Sequence, residues 1–226
     1  MSQPLQTQSS QGWDEFWRRT TLSADDDARL IRAESRSVRW KRLERLLEQH
    51  GIRWQGLKTL ELGSGRGQAS LILALKGAQA TLLDSSPEAL DSARRLFGHF
   101  GCQATYVEAD ILTGLAPFHQ QFDLALSFGL AEHFRYPQRQ QIIDLHGSVI
   151  KPGGWVVIEV PNAYCLSYQW FKWLAQRTGH WKVGLEIPFT ASELLRCAKE
   201  AHLLPVQVIG SSTIRDQRTR RSASST

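Results

Sequence analysis

The sequence predicts one α/β domain, a doubly wound and mostly parallel sheet, and three observations carry that prediction. From Lys58 onward, short apolar runs alternate with longer amphipathic segments, which is how buried parallel strands and their crossover helices read. A glycine-rich turn, Gly63-Ser64-Gly65-Arg66-Gly67, follows the first run directly and opens a helix. Two acids, Asp84 and Asp110, then stand at the ends of the second and third runs, on the edge where open α/β sheets take their ligands.

The elements follow in order. Residues 1–22 start rich in Gln and Ser and are expected to be partly disordered, with Trp13, Phe16 and Trp17 in a short amphipathic turn. Region 23–56 reads as helical. Ser23 ahead of Asp25, Asp26 and Asp27 puts a cap and acids where the free amides of a helix start need them. Leu30, Val38, Leu43, Leu46 and Leu47 then supply an apolar stripe ending near Gly51. The domain proper spans 57–210, with strands at 59–62, 80–83, 104–108, 124–127, 155–160 and 206–209. Helices fall at 68–76, 87–100, 138–150, 164–176 and 191–201. Pro87 behind Ser86 suits a capped first turn, and Lys151-Pro152-Gly153-Gly154 is a break before the fifth strand. Residues 211–226 form a polar, arginine-rich tail expected to be disordered.

Composition excludes several classes. With 226 residues the chain can bury one core without needing a second domain, and no apolar run approaches the roughly 20 residues that span a bilayer. The N-terminus lacks the pattern of a secretory signal, so the expected location is cytoplasmic. Cys102, Cys165 and Cys197 are widely spaced without a C-x-x-C pair, which argues against a disulfide framework or a zinc site, and no metal is expected. The net charge of +5 sits largely in one run from Arg29 to Arg45 and in the tail. A solvated helix face plus a tail is the favoured reading, and a nucleic-acid footprint the alternative.

Glycines in the turn let the backbone fold tightly and approach a ligand, while amides at the helix start offer hydrogen bonds to an anionic group. An acid at the end of the second strand can accept both hydroxyl protons of a ribose. A dinucleotide fingerprint would place its third glycine where Gln68 stands, which disfavours a nicotinamide cofactor. The spacing Glu61-x-Gly63-x-Gly65-x-Gly67, together with Asp84, Asp110 and the Lys151-Pro152-Gly153-Gly154 turn, resembles the class I methyltransferases of Rossmann-like fold. That resemblance implies S-adenosylmethionine as cofactor and a small molecule as methyl acceptor, its accepting atom (O, N or C) left open. It implies cofactor contacts from Glu61, Gly63, Ser64, Gly65, Gly67, Asp84, Ser85, Asp110, Ile111 and Ser127, with Glu61 and Gly63 toward the amino-acid part, Asp84 on the ribose, and Asp110 and Ile111 on the adenine.

At the acceptor end, Glu132-His133 past the fourth strand is similar to the Glu-His pair that related enzymes set beside the transferable methyl. His133 is the candidate base, or a residue that shapes the pocket. Glu132, Asn162, Tyr164 and Trp170 are the substrate-side candidates. Trp170, Phe171 and Trp173 at helical spacing read first as core; as a lid, segment 164–188 would select an aromatic or lipid-like acceptor. No N/D/S-Pro-Pro-aromatic motif follows the fourth strand, and only one glutamate stands there, which disfavours nucleic-acid amino-methylation and protein-arginine methylation. No seventh strand is readable, so the sheet is expected to lack it or to carry an atypical one. The alternatives are a catalytically silent cofactor-binding subunit and an RNA-directed enzyme recruited by the basic helix and tail.

Overall fold

The computed structural model describes residues 10–18, 22–181 and 184–210. Five parallel strands, β1 (Lys58–Leu62), β2 (Gln79–Asp84), β3 (Ala104–Glu108), β4 (Phe122–Phe128) and β5 (Ile150–Glu159), lie in the order β3-β2-β1-β4-β5. The helices are α1 (Ser10–Arg18), α2 (Ala24–Ser35), α3 (Val38–Gln49), α4 (Gln68–Ala74), α5 (Pro87–His99), α6 (Gln138–Val149), α7 (Leu166–Arg177) and α8 (Ala191–Glu200). Chain order reverses between β1 and β4, so the carboxyl ends of these two strands open a crevice.

The sheet is covered on both faces. On one, Leu82, Leu124 and Leu126 pack with Leu71, Leu96, Phe97, Ile31 and Trp40. On the other, Leu60, Leu62, Leu83 and Ala125 pack with Ile142, Ile143 and Phe189. Adjacent residues of β2, Leu82 and Leu83, thus enter opposite cores, as a strand buried on both faces requires.

Local chemistry fixes the helix boundaries. Ser23 and Ser86 accept from Asp26 and Ala89 amides and start α2 and α5, as expected. The single stripe expected through region 23–56 is instead two helices, because the Ser37 hydroxyl accepts from the Trp40 amide at 3.0 Å and starts α3. The turn of Trp13, Phe16 and Trp17 is a nine-residue helix.

Three further expectations are corrected. Lys151-Pro152-Gly153-Gly154 does not precede the fifth strand but lies inside it. A step of two residues on β4, from Phe122 to Leu124, is matched by a step of five on β5, from Ile150 to Trp155, so the extra residues bulge. Residues 206–209 form no strand, and Val206 and Val208 are exposed, so among the described residues the sheet has five strands rather than six. Their apolar alternation suits a strand, but no described neighbour pairs with them, and the pattern alone does not supply one. Trp170 and Trp173 are not core. They are 65% and 45% exposed and stack on each other with centroids 5.0 Å apart. The expectations for residues 1–9 and 211–226 lie outside the described residues, as do 19–21. No helix among the described residues is long and apolar enough to cross a membrane.

Candidate active site

The crevice is the floor of a continuous cavity of about 2480 Å³. Glu61, Gly63, Ser64, Gly65, Gly67, Asp84, Ser85, Asp110 and Ile111 all line it, as do Glu132, His133 and Asn162. Ser127, Tyr164 and Trp170 do not. The Ser127 hydroxyl is instead buried against His146 Nε2 at 3.0 Å, on the side of β4 facing α6.

Gly63, Gly65 and Gly67 all take positive φ, between +52° and +67°. Gly67 is also tightly enclosed, since a Cβ there would lie well inside van der Waals contact of Leu82 Cδ2, a fully buried side chain. Gly67→Ala is therefore expected to lower stability by about 2–3 kcal/mol, from left-handed strain and overpacking together. A urea titration measures it, with the midpoint shifting at unchanged slope.

The turn is tied to the acid that ends β2. Asp84 Oδ2 accepts from the Gly65 amide at 2.8 Å, and Oδ1 accepts from the Ser86 amide at 2.9 Å. Burial raises the Asp84 pKa, those amides pull it back down, and Asp14 nearby raises it again. Glu61 is held against the start of α4, accepting from the Ser70 amide at 3.1 Å and the Ser70 hydroxyl at 2.5 Å. Burial pushes it up to about 7 against those bonds. Asp110 is exposed and accepts from the Leu112 amide at 2.7 Å, a local turn, with Ile111 buried beside it.

Helix α1 roofs this end. Trp17 lies where a Cβ on Gly65 would come within 2.5 Å of its ring, Asp14 bonds the Ser86 hydroxyl, and Arg18 pairs with Glu88 at 3.1 Å. Trp13 packs edge-on against His133 at 5.0 Å. The sequence showed these aromatics but not their target, because the contacts join residues over 45 positions apart.

The part of the cavity around His133 is buried, and several of its polar atoms lack partners. A carbonyl can only accept, so the 2.7 Å contact from His133 Nδ1 to the Leu185 oxygen puts the ring proton on Nδ1. Burial lowers the His133 pKa, so the ring is neutral at pH 7 and its Nε2 keeps a free lone pair. Glu132 is 3% exposed and its Oε2 has no hydrogen-bond partner; the Tyr168 hydroxyl and the Ser64 hydroxyl, also on the cavity, have none either. Burial pushes Glu132 up to about 8, with Glu186 and Glu159 adding to it, and pushes Glu186 to about 7. Lys172 reaches the Glu186 carbonyl from α7. Tyr168, Lys172 and Glu186 were not picked out from the sequence.

These groups set a pH dependence. Glu61, Glu132 and Glu186 keep their protons in the native state but lose them near 4.5 when unfolded, so their contribution falls as pH rises toward 7–8. His133 and His146, the latter lowered by burial to about 4, act oppositely, and their contribution is lost as pH falls below 6.5. Above 6.5 only the carboxyl effect remains. Without cofactor, stability is expected to fall by roughly 2–3 kcal/mol between pH 6.5 and 8. Thermal melts of wild type and Glu132→Gln check this, since the variant should remove about half of the decline.

Comparison with known proteins bears on the same residues. Residues 59–154 match a family described as a methyltransferase domain. A ubiquinone biosynthesis O-methyltransferase of Klebsiella pneumoniae is 29% identical over 149 residues, 66% of this chain and 59% of that protein. One from Photorhabdus laumondii is 31% identical over 121 residues, 54% and 49% of the two chains. The chain thus spans about half to three fifths of the length of these relatives. Among solved structures, magnesium protoporphyrin IX methyltransferase from Synechocystis with bound SAM superposes with a TM-score of 0.59 at 14% identity, covering 87% of this chain and 83% of that one. At that identity the likeness is one of fold.

Proposed function

With residues 59–154 a class I S-adenosylmethionine-dependent methyltransferase domain, we propose that the protein transfers a methyl group from S-adenosylmethionine to a hydroxyl of an aromatic small molecule. The observation that carries this reading is that one cavity holds the glycine turn with Asp84 at one end and His133 with Glu132 at the other. The relatives named as O-methyltransferases support the choice of oxygen, and the rings of Trp13, Tyr168, Phe171 and Trp181 on the cavity support an aromatic acceptor.

The residues present fit that cofactor. The three glycines take the positive φ that a tight turn against a ligand needs, the buried Ser64 hydroxyl lacks a partner, and Asp84 offers a carboxylate beside the turn. Glu61, poised near 7, suits an ammonium group, which favours its ionised form. The cofactor supplies an electrophilic methyl on a sulfonium. The chain's own work is to hold the acceptor in line, exclude water beneath α1 and take the hydroxyl proton on His133 Nε2. Glu132 Oε2 and the Tyr168 hydroxyl, both buried and unpartnered, would satisfy polar groups of the acceptor. Asp110, Ile111 and Ser85 would border the nucleoside, whereas Ser127, Tyr164 and Trp170 are set aside because they do not line the cavity.

The test is transfer of labelled methyl from S-adenosylmethionine to a panel of phenols, aryl amines and aliphatic alcohols. Labelling of phenols at pH 7.5 is the expected result. Cofactor binding without labelling of any hydroxyl compound, but with labelling of amines, would sink the oxygen assignment.

A further inference from the structure

We propose that Asp27 and Arg66 are positioning residues of the cofactor site, their buried ion pair fixing the glycine turn from the N-terminal helix α2. The inference rests on the reading of that turn as the cofactor cradle.

Arg66 lies between two positive-φ glycines, Gly65 and Gly67, in the segment of backbone with least intrinsic stiffness. Its side chain is nevertheless buried and held at two of its nitrogens. At 6% exposure, it places Nη2 2.5 Å from Asp27 Oδ1 and Nε 3.0 Å from the Ser92 hydroxyl of α5. Asp27 is 1% exposed, and its second oxygen meets His99 Nδ1 of α5 at 3.0 Å. Two helices far apart in sequence are thereby joined to the centre of one loop.

Stability alone is a poor account of this arrangement. Burying two charges costs several kcal/mol in desolvation, and apolar residues in such places often stabilise as well or better. What an ion pair adds is direction, because a planar guanidinium bonded at Nη2 and Nε has one allowed orientation. That orientation fixes the Arg66 backbone and, through it, the Gly65 amide that donates to Asp84. Loosening the pair should misalign the turn and the acid together, and the loss should appear in cofactor affinity.

The test measures Kd for S-adenosylmethionine and S-adenosylhomocysteine by calorimetry at 15 °C, well below melting, alongside thermal melts. Asp27→Asn and Arg66→Lys are each expected to raise Kd about tenfold, and Asp27→Glu to recover most of the loss. Ser92→Ala, which removes only the Nε partner, should raise it about threefold and serves if the charge variants do not fold. Folded variants with wild-type Kd but lowered melting temperatures would overturn the proposal, leaving the pair a structural one. Wild-type protein that binds neither compound would instead overturn the cofactor reading on which the proposal stands.

Discussion

Replacing His133 by alanine is expected to lower the turnover number by about 10²–10⁴ with cofactor affinity unchanged, as removal of a general base does. The structure gives the reason. His133 Nδ1 is committed to the Leu185 carbonyl, burial keeps the ring neutral, and Nε2 is the atom left to take a proton. A base must be unprotonated to act, so activity should rise with pH through a value below the ordinary 6.5 of histidine and then level off. His133→Asn keeps a side chain that can donate to Leu185 but has no basic nitrogen. Turnover near wild type in that variant, with the acidic limb of the pH profile intact, would reduce His133 to a pocket wall. The same profile in D₂O would show whether the proton is in flight during methyl transfer.

Asp84→Ala comes next in expected size, with Kd for S-adenosylmethionine rising about a hundredfold. Hydrogen bonds to a charged group contribute roughly 1.5–3 kcal/mol each, and loss of the two ribose contacts proposed for this acid would amount to at least that hundredfold, about 3 kcal/mol. A further part of the loss is internal, since the Gly65 and Ser86 amides would lose their acceptor and the turn its anchor. Asp84→Asn retains one acceptor oxygen and should fall between wild type and alanine. Calorimetric titration reads both, and an unchanged Kd in Asp84→Ala would remove the acid from the site.

What the sequence disclosed and what it hid separate along one physical line. The glycine turn was legible because positive φ and close packing are local demands that only a few residues meet, and the structure has all three glycines there. The strand-ending acid was legible for a similar reason, being fixed by its distance from the end of β2. Asp27 was read as an acid at a helix start, and it does stand in the first turn of α2, but its partner Arg66 is 39 residues away and no periodicity announces such a pair. Ser127 was placed on the cofactor by the family resemblance alone. A strand offers two faces, and the buried His146 on α6 claimed the hydroxyl from the other one. Trp170 and Trp173 at helical spacing suggested core, yet α7 sets them toward solvent. Val206 and Val208 had the alternation of a strand without a neighbour to pair with.

The bond between His133 and Leu185 also orders events in time. A chain leaves the ribosome N-terminus first, at about 5–20 residues per second, and structure forms as segments become available. Glu61, the glycine turn, Asp84 and helix α1 all precede His133 in the chain, whereas the carbonyl that sets the imidazole tautomer arrives 52 residues after the imidazole itself. The nascent chain therefore holds this histidine before the acceptor that fixes its tautomer exists. Until residue 185 is in place, the ring can carry its proton on either nitrogen.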